Sequence, residues 1–335
     1  MTILLLALNS EEQALLIPYN VSLPNQRELL FEYASFIKSI YYHLYYGIRE
    51  WLPFKKDEIR RELEIAVKCS LTAMLLRTSK SLKHLYLDEI ICNQFVYENL
   101  YENTTVTSVG LYLPRNTSED FKSKAIDVLV KTIYKNNTLK HLNLQCNNLG
   151  SESGKALADV LCKNTVLTSL NLGKNNLGLE GEKALASALY KSTSLKYLNL
   201  EENGIGSEGG KALADALCKN TALTSLNISY NDLGSEGGKA LANALYKNTT
   251  LTSLDISYND LGSEVGNLFA NVLCKNASLI SLNLAYNNIE SEEANAFANL
   301  LCKNTSLKNL KLDENNIGSE GGKALADALY KNNTL

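Results

Sequence analysis

From Leu139 onward the chain repeats every 28 residues, with no insertion or deletion. The units begin at Leu139, Leu167, Leu195, Leu223, Leu251, Leu279 and Leu307. One of them, from Leu223 to Thr250, reads LTSLNISYNDLGSEGGKALANALYKNTT. A regular period of this size marks stacked supersecondary units, each contacting only its neighbours. That overrides the length prior for 335 residues, which would be about two compact domains.

Each unit has two halves of different period. In the first, LxxLxLxxN, the alternation around Leu226 and Ile228 is that of a short strand. The asparagine that closes it recurs at Asn147, Asn175, Asn203, Asn231, Asn259, Asn287 and Asn315. An amide has both donor and acceptor ends, so this ladder can satisfy backbone where the strand leaves the sheet. In the second half, Leu241, Ala242, Leu245 and Tyr246 fall at helical spacing. Ser235 is the expected N-cap, and Glu236 stands where the helix dipole favours an acid. No unit can bury its leucines alone, so the expected fold is a stack, with parallel strands inside and helices outside.

The pattern LxxLxLxxN-x-L/I-G followed by an ALAxAL helix, at this period, resembles the leucine-rich repeats of the ribonuclease-inhibitor type. Similar repeats occur in ribonuclease inhibitor, the sensor arms of NOD-like receptors, the Ran GTPase-activating protein and effectors of intracellular bacteria. The resemblance covers residues 139–335. It implies an α/β leucine-rich-repeat solenoid of horseshoe shape, with a parallel sheet on the concave face and helices on the convex face. It also implies that the concave face binds protein.

Upstream, the array continues in degenerate form over 82–138. Leu82, Leu85 and Leu87 fit one strand, and Leu100 and Tyr101 close its helix. Val106, Val109 and Leu111 fit another, with Leu129, Ile133 and Tyr134 on its helix. Nine strands are expected in all. Residues 1–81 are not repeat-like. Leu29, Tyr33, Phe36, Ile37, Ile40, Leu44 and Ile48 suggest one helix over 26–50, ended by Pro53, and a second helix is expected over about 57–78. The segment reads as an N-terminal helical cap over the first repeat. The alternative is a recruiting module, with Tyr41, Tyr42, Tyr45 and Tyr46 beside its apolar face. Met1–Leu8 lacks the basic start of a secretory signal, so a short buried strand or helix is the reading. The last unit keeps Leu325, Leu329 and Tyr330 in their usual places with nothing to cap them, which raises self-association through that end.

Several chemistries are excluded or disfavoured. Net charge is −3, with no basic footprint for nucleic acid, and no apolar run approaches a membrane span. The histidines His43, His84 and His141 have no metal-ligand or catalytic spacing. Seven cysteines without a CxxC pair read as free buried thiols of a reducing compartment. Cys162, Cys218, Cys274 and Cys302 share a half-buried helix slot with Tyr190, Tyr246 and Tyr330. Lys163, Lys191, Lys219, Lys247, Lys275, Lys303 and Lys331 end successive helices as a solvated row. No catalytic residue, cofactor or metal is expected.

The informative residues lie between the strand leucines and just past them, because they escape the consensus. Tyr230, Tyr258 and Tyr286 recur in three consecutive units, with Asp232 and Asp260 beside two of them. Glu201 and Glu202 precede this stripe; Asp313 and Glu314 follow it. Tyr197, Asn227, Asp255, Asn283 and Lys311 occupy the adjoining strand rows. Tyrosine is enriched at protein interfaces, where it combines contact area with a hydroxyl. The competing reading is that repeat duplication copied one tyrosine three times.

The expectation is therefore a non-enzymatic module that binds a protein partner on the concave face. The alternatives are a Ran-type regulator of a small GTPase, or an adaptor recruiting through the N-terminal helices. Richness in Asn, Lys, Tyr and Ile, all with AT-rich codons, adds the option of an effector acting in a host cytosol; otherwise the expected location is cytoplasmic.

Overall fold

The computed structural model describes residues 2–5, 7–19, 21, 33–52 and 57–332. They fall into two compact units, Met1–Leu144 and Gln145–Leu335.

In the first unit, helices α1 (Thr2–Leu5) and α2 (Ser10–Ala14) lead to strand β1 (Ser39–Ile40) and helices α3 (Tyr42–Trp51) and α4 (Asp57–Thr78). Strand β2 (His84–Leu87), helix α5 (Gln94–Glu102), strand β3 (Ser108–Leu111), helix α6 (Glu119–Lys135) and strand β4 (His141–Asn143) follow. β1 to β4 pair in parallel, in chain order. The expected helix over 57–78 and the strands around Leu85 and Val109 are found. The expected helix over 26–50 is not. Leu29 and Pro53 lie outside the described residues; the described part is a 3-10 turn at Tyr33–Phe36, then β1, then α3. Ile40 does not continue a helix because it pairs with Leu85, and the Lys38 carbonyl accepts the N–H of Lys83 at 2.8 Å. An open edge of β2 would leave such groups unpaired. β1 is therefore one strand more than expected. Phe36, placed on the apolar face from its spacing, is exposed.

α4 carries the core of this unit. Val67, Leu71, Ala73, Met74 and Leu75 are fully buried along it. α2 is tied to α4 through Arg77, whose guanidinium donates to both oxygens of Glu12 at 3.0 and 2.9 Å, and through Ser70, whose hydroxyl donates to the Glu12 carbonyl. Of the Met1–Leu8 segment, Thr2–Leu5 is helical, and Leu5 and Leu8 are buried.

The second unit alternates seven helices with six strands: α7 (Gly150–Leu161), β5 (Ser169–Asn171), α8 (Gly178–Lys191), β6 (Tyr197–Asn199), α9 (Gly206–Leu217), β7 (Ser225–Asn227), α10 (Gly234–Lys247), β8 (Ser253–Asp255), α11 (Ser263–Leu273), β9 (Ser281–Asn283), α12 (Ser291–Leu301), β10 (Asn309–Lys311) and α13 (Gly318–Lys331). β5 to β10 pair in parallel without crossover, so Leu170, Leu198, Leu226, Leu254, Leu282 and Leu310 form one row. Strands in a sheet sit about 4.8 Å apart, whereas packed helices need about 8–10 Å. The helix layer must therefore spread, which makes the sheet side the inner, concave one.

Two amide ladders hold the repeats together. At the strand exit, Asn231 donates its side-chain NH2 to the carbonyls of Leu200 (2.9 Å) and Ser229 (3.0 Å). At the helix exit, Asn248 donates to Leu217 and Asn220 carbonyls and accepts the N–H groups of Thr250 and Leu251. The same set recurs at Asn220, Asn276 and Asn304. Only the first ladder was expected from the sequence.

The serine cap is a correction. At α10 the N-cap position is Leu233 and no side chain caps the helix; Ser235 lies inside the first turn. Gly234 makes the turn instead, at φ 58°, and its N–H donates to the Asn259 carbonyl of the next unit at 3.0 Å. The glutamate in the first turn is found as expected. Only Lys191, Lys247 and Lys331 of the lysine row end helices, because units with cysteine rather than tyrosine stop at the preceding leucine. The cysteines are free but not uniformly buried: Cys69 is buried, whereas Cys146, Cys274 and Cys302 are exposed. Tyr246, read as part of the apolar face, is exposed as well.

Among the described residues, no helix is long and apolar enough to cross a membrane.

Candidate functional site

The strand-to-helix turn of each repeat places two residues in the left-handed backbone region, on either side of the ladder asparagine. In successive units they are Tyr230 and Asp232, Tyr258 and Asp260, then Tyr286 and Asn288, with φ between 49° and 57°. The turn is held by the next unit. The N–H of Tyr230 donates to the Ser257 carbonyl (3.0 Å), and that of Tyr258 to the Ala285 carbonyl (3.0 Å). Asp and Asn tolerate this conformation; for a bulky residue it is unusual. Cys146, Lys174, Glu202 and Glu314 share the tyrosine position at similar φ. The repeat therefore imposes the backbone, and tyrosine is the choice of side chain.

Identical turns one strand apart bring the rings face to face. Tyr230 and Tyr258 have centroids 3.8 Å apart and planes 14° apart; Tyr258 and Tyr286 repeat the same values. The neighbouring Tyr258 hydroxyl is the first cause that pushes the Tyr230 hydroxyl up to about 12. Tyr258 is also raised: its contact with Tyr230 lowers it, and the Tyr286 hydroxyl, burial and the Glu314 charge outweigh that. Tyr230 and Tyr286 remain 44% and 39% exposed, so this is a solvent-facing stack rather than core.

An open groove is lined by the three tyrosines with Glu202, Asp232, Asp260, Asn288 and Glu314. Its acids are unevenly matched. Lys174 reaches Glu201 at 3.2 Å and Glu202 at 3.3 Å. Asp260 accepts a hydrogen bond from Asn288 at 2.6 Å. Asp232, Asp313 and Glu314 have no ion pair among the described residues.

The residues singled out from the sequence thus divide. Glu202, Tyr230, Asp232, Tyr258, Asp260, Tyr286 and Glu314 come together in the groove. Glu201 reaches it through Lys174. Asp313 and Lys311 are exposed outside it. Tyr197 lies on β6 beside Ser225, 37% exposed. Asn227, Asp255 and Asn283 stand in one row across β7, β8 and β9, partly engaged by their own turns. Asn227 accepts the Ser229 N–H, Asp255 that of Ser257, and Asn283 that of Ala285; Asn283 also donates to Asp255 at 2.9 Å. Asn288 and Lys174 were missed. Asn288 carries a visible signal, since it occupies the repeat position of Asp232 and Asp260.

Elsewhere, Tyr45 is core: it is 7% exposed and its hydroxyl donates to the Tyr86 carbonyl at 2.8 Å. Tyr41 and Tyr46 are exposed. His84 and His141 sit exposed on strands. Among the described residues no group of three or more His, Cys, Asp or Glu could hold a metal ion.

A family model described as "Leucine Rich repeat" matches residues 135–158, 163–186, 191–214, 219–242, 247–264, 275–298 and 303–326. A search of the curated proteins found no match. Among solved structures, the chain is similar to the leucine-rich repeat-containing protein LegL7 from Legionella pneumophila, at 21% identity and TM-score 0.49, over 80% of this chain and 85% of that one. It is similar to the complex of Rad7 and Elc1 in yeast, at 18% identity and TM-score 0.46, over 80% and 71%. It is also similar to actin-binding site 2 of leiomodin-1, at 18% identity and TM-score 0.40, over 46% and 88%.

Proposed function

We propose that this chain, which belongs to the leucine-rich repeat family, is a non-enzymatic scaffold that binds a protein partner on the concave face, centred on the tyrosine stack. The observation that carries this reading is three half-exposed rings in register on a rigid sheet edge. A stacked pair contributes about 0.5–1.5 kcal/mol. Holding a residue in a sparsely populated backbone region costs about 1–3 kcal/mol. Cys146, Lys174, Glu202 and Glu314 bear the same backbone cost, so that cost does not depend on the choice of tyrosine. Preordered aromatic surface, with few rotamers left to freeze, is what an interface core uses.

The test is affinity capture from cell lysate with wild type and a Tyr230→Ala, Tyr258→Ala, Tyr286→Ala variant, after circular dichroism shows both folded. A partner held by wild type and lost by the variant supports the reading. Equal capture by both overturns it and moves the search to residues 1–81 and the lysine row.

The setting we infer is cytosolic, of a host cell if the chain is a secreted effector; free cysteines and the richness in Asn, Lys, Tyr and Ile, whose codons are AT-rich, support it. A second association is favoured by α13, where Leu329 and Tyr330 are exposed. Concentration-dependent sedimentation that Tyr330→Asp abolishes would support self-association there; a strict monomer would remove it.

A further inference from the structure

We propose that the groove beside the tyrosine stack takes a basic, arginine-bearing segment of its protein partner. This rests on the concave-face reading above and adds the chemistry of what docks there.

The first support is charge complementarity. The groove is lined by the carboxylates of Glu202, Asp232, Asp260 and Glu314 and by no lysine or arginine. Such a lining draws in a cationic partner and repels an acidic one.

The second support is where the rings and acids stand. Both faces of the Tyr258 ring are covered by its neighbours at 3.8 Å. The open faces are the outer ones, of Tyr230 and Tyr286. In the repeat register the next residue beyond Tyr230 is Glu202, and beyond Tyr286 it is Glu314. The Glu202 end already holds a cation, Lys174, at 3.3 Å. The Glu314 end has no such partner among the described residues. A planar cation laid on the outer face of Tyr286 would gain the ring quadrupole and the Glu314 carboxylate together. Asp232 and Asp260 stand one unit apart, about 4.8 Å by strand spacing. A guanidinium carries five donors on a planar fork, so it can lie on a ring and hold a carboxylate by two hydrogen bonds at once, which a lysine ammonium does not. Arginine is thus favoured over lysine.

The probes are fluorescein-labelled octa-arginine, octa-lysine and octa-glutamate, read by fluorescence anisotropy at 0.15 M salt. Wild type is expected to bind octa-arginine at least threefold more tightly than octa-lysine, and octa-glutamate not at all. A Asp232→Asn, Asp260→Asn, Glu314→Gln variant should lose at least tenfold in octa-arginine affinity. Its folding is safe at two positions, because Asn148, Asn176 and Asn288 already occupy the same turn site. A convex-face control, Glu208→Gln with Glu236→Gln, removes as much charge per site from helices α9 and α10 and should change affinity less than twofold. Equal loss in both variants, no octa-arginine binding, or octa-glutamate binding would overturn the proposal. The two readings fail separately. A partner captured through the tyrosines but retained by the charge variant at 0.5 M salt overturns the basic segment alone; capture indifferent to the tyrosines overturns the concave-face reading itself.

Discussion

The side-chain oxygen of Asn259 accepts the backbone N–H of Asn231 at 3.0 Å and that of Leu233 at 3.3 Å, both in the preceding repeat. Its NH2 group donates to carbonyls of Ile228, Ile256 and Ser257. One fully buried amide thus serves two repeats. Asn259→Ala leaves these backbone groups unpaired, at about 1–3 kcal/mol for each one stranded from water. The expected loss exceeds about 3 kcal/mol in urea unfolding, with local hydrogen exchange accelerated in the units around Asn231 and Asn259.

The second ladder contains a natural gap. Ser192 stands where the other units have asparagine, and its hydroxyl accepts only the Leu195 N–H, at 3.3 Å. Ser192→Asn would restore the donors that Asn220 and Asn248 send to the previous repeat. A gain of about 1 kcal/mol is expected, seen as a higher urea midpoint with unchanged slope.

Glu182 on α8 is fully buried and neither carboxyl oxygen has a hydrogen-bond partner. Burial raises its pKa to about 9. The folded state therefore binds a proton that the unfolded chain releases near pH 4.5. Between pH 4.5 and 9 stability falls as pH rises, by about 1.4 kcal/mol per pH unit from this group. Glu182→Gln removes that slope. The variant should match wild type near pH 4.5 and exceed it by about 3 kcal/mol at pH 7. Parallel pH profiles for the two proteins would refute this.

Deleting residues 1–81 separates a cap from a recruiting module. α4 supplies Leu71, Met74 and Leu75 to the core beside β2, and β1 pairs with β2. A truncated chain should lose protection over 82–144 and expose apolar surface to a dye such as ANS. An unchanged exchange pattern over 82–144 would favour a separable module.

Much of this was legible because the period is strict. A residue type recurring every 28 positions fixes which side chains share a row, so the strand leucines, the strand-exit asparagines and the grouping of Tyr230, Tyr258 and Tyr286 follow from counting. The helix-exit asparagines obeyed the same count and were passed over beside the lysine row. Three features resisted for physical reasons. β1 was hidden because Ile37, Ile40 and Leu44 fit helical spacing, and only pairing with Leu85 decides otherwise. The missing serine cap depends on Gly234 having positive φ, which composition permits but does not impose. The burial of Glu182 was signalled by a departure from glycine at its repeat position, yet whether the side chain turns inward depends on α9. There Gly209 leaves the room: a Cβ on it would stand 2.9 Å from a Glu182 carboxyl oxygen.

Tyr258→Asn separates the stack's role in binding from its role in stability. Asparagine is comfortable in the left-handed region, so the variant should fold with stability within about 1 kcal/mol of wild type. It should nonetheless bind partner more weakly, because the stack is broken at its centre. Equal loss of stability and binding would make the tyrosines structural.

The most direct measurement of the central claim is site-specific photo-crosslinking in lysate, with benzoylphenylalanine placed at position 258 on the concave face or at position 246 on the helix side. The account predicts a crosslinked adduct at position 258, competed by unlabelled wild type, and none at position 246, although Tyr246, at 58%, is the more exposed of the two. An adduct confined to position 246 would contradict it.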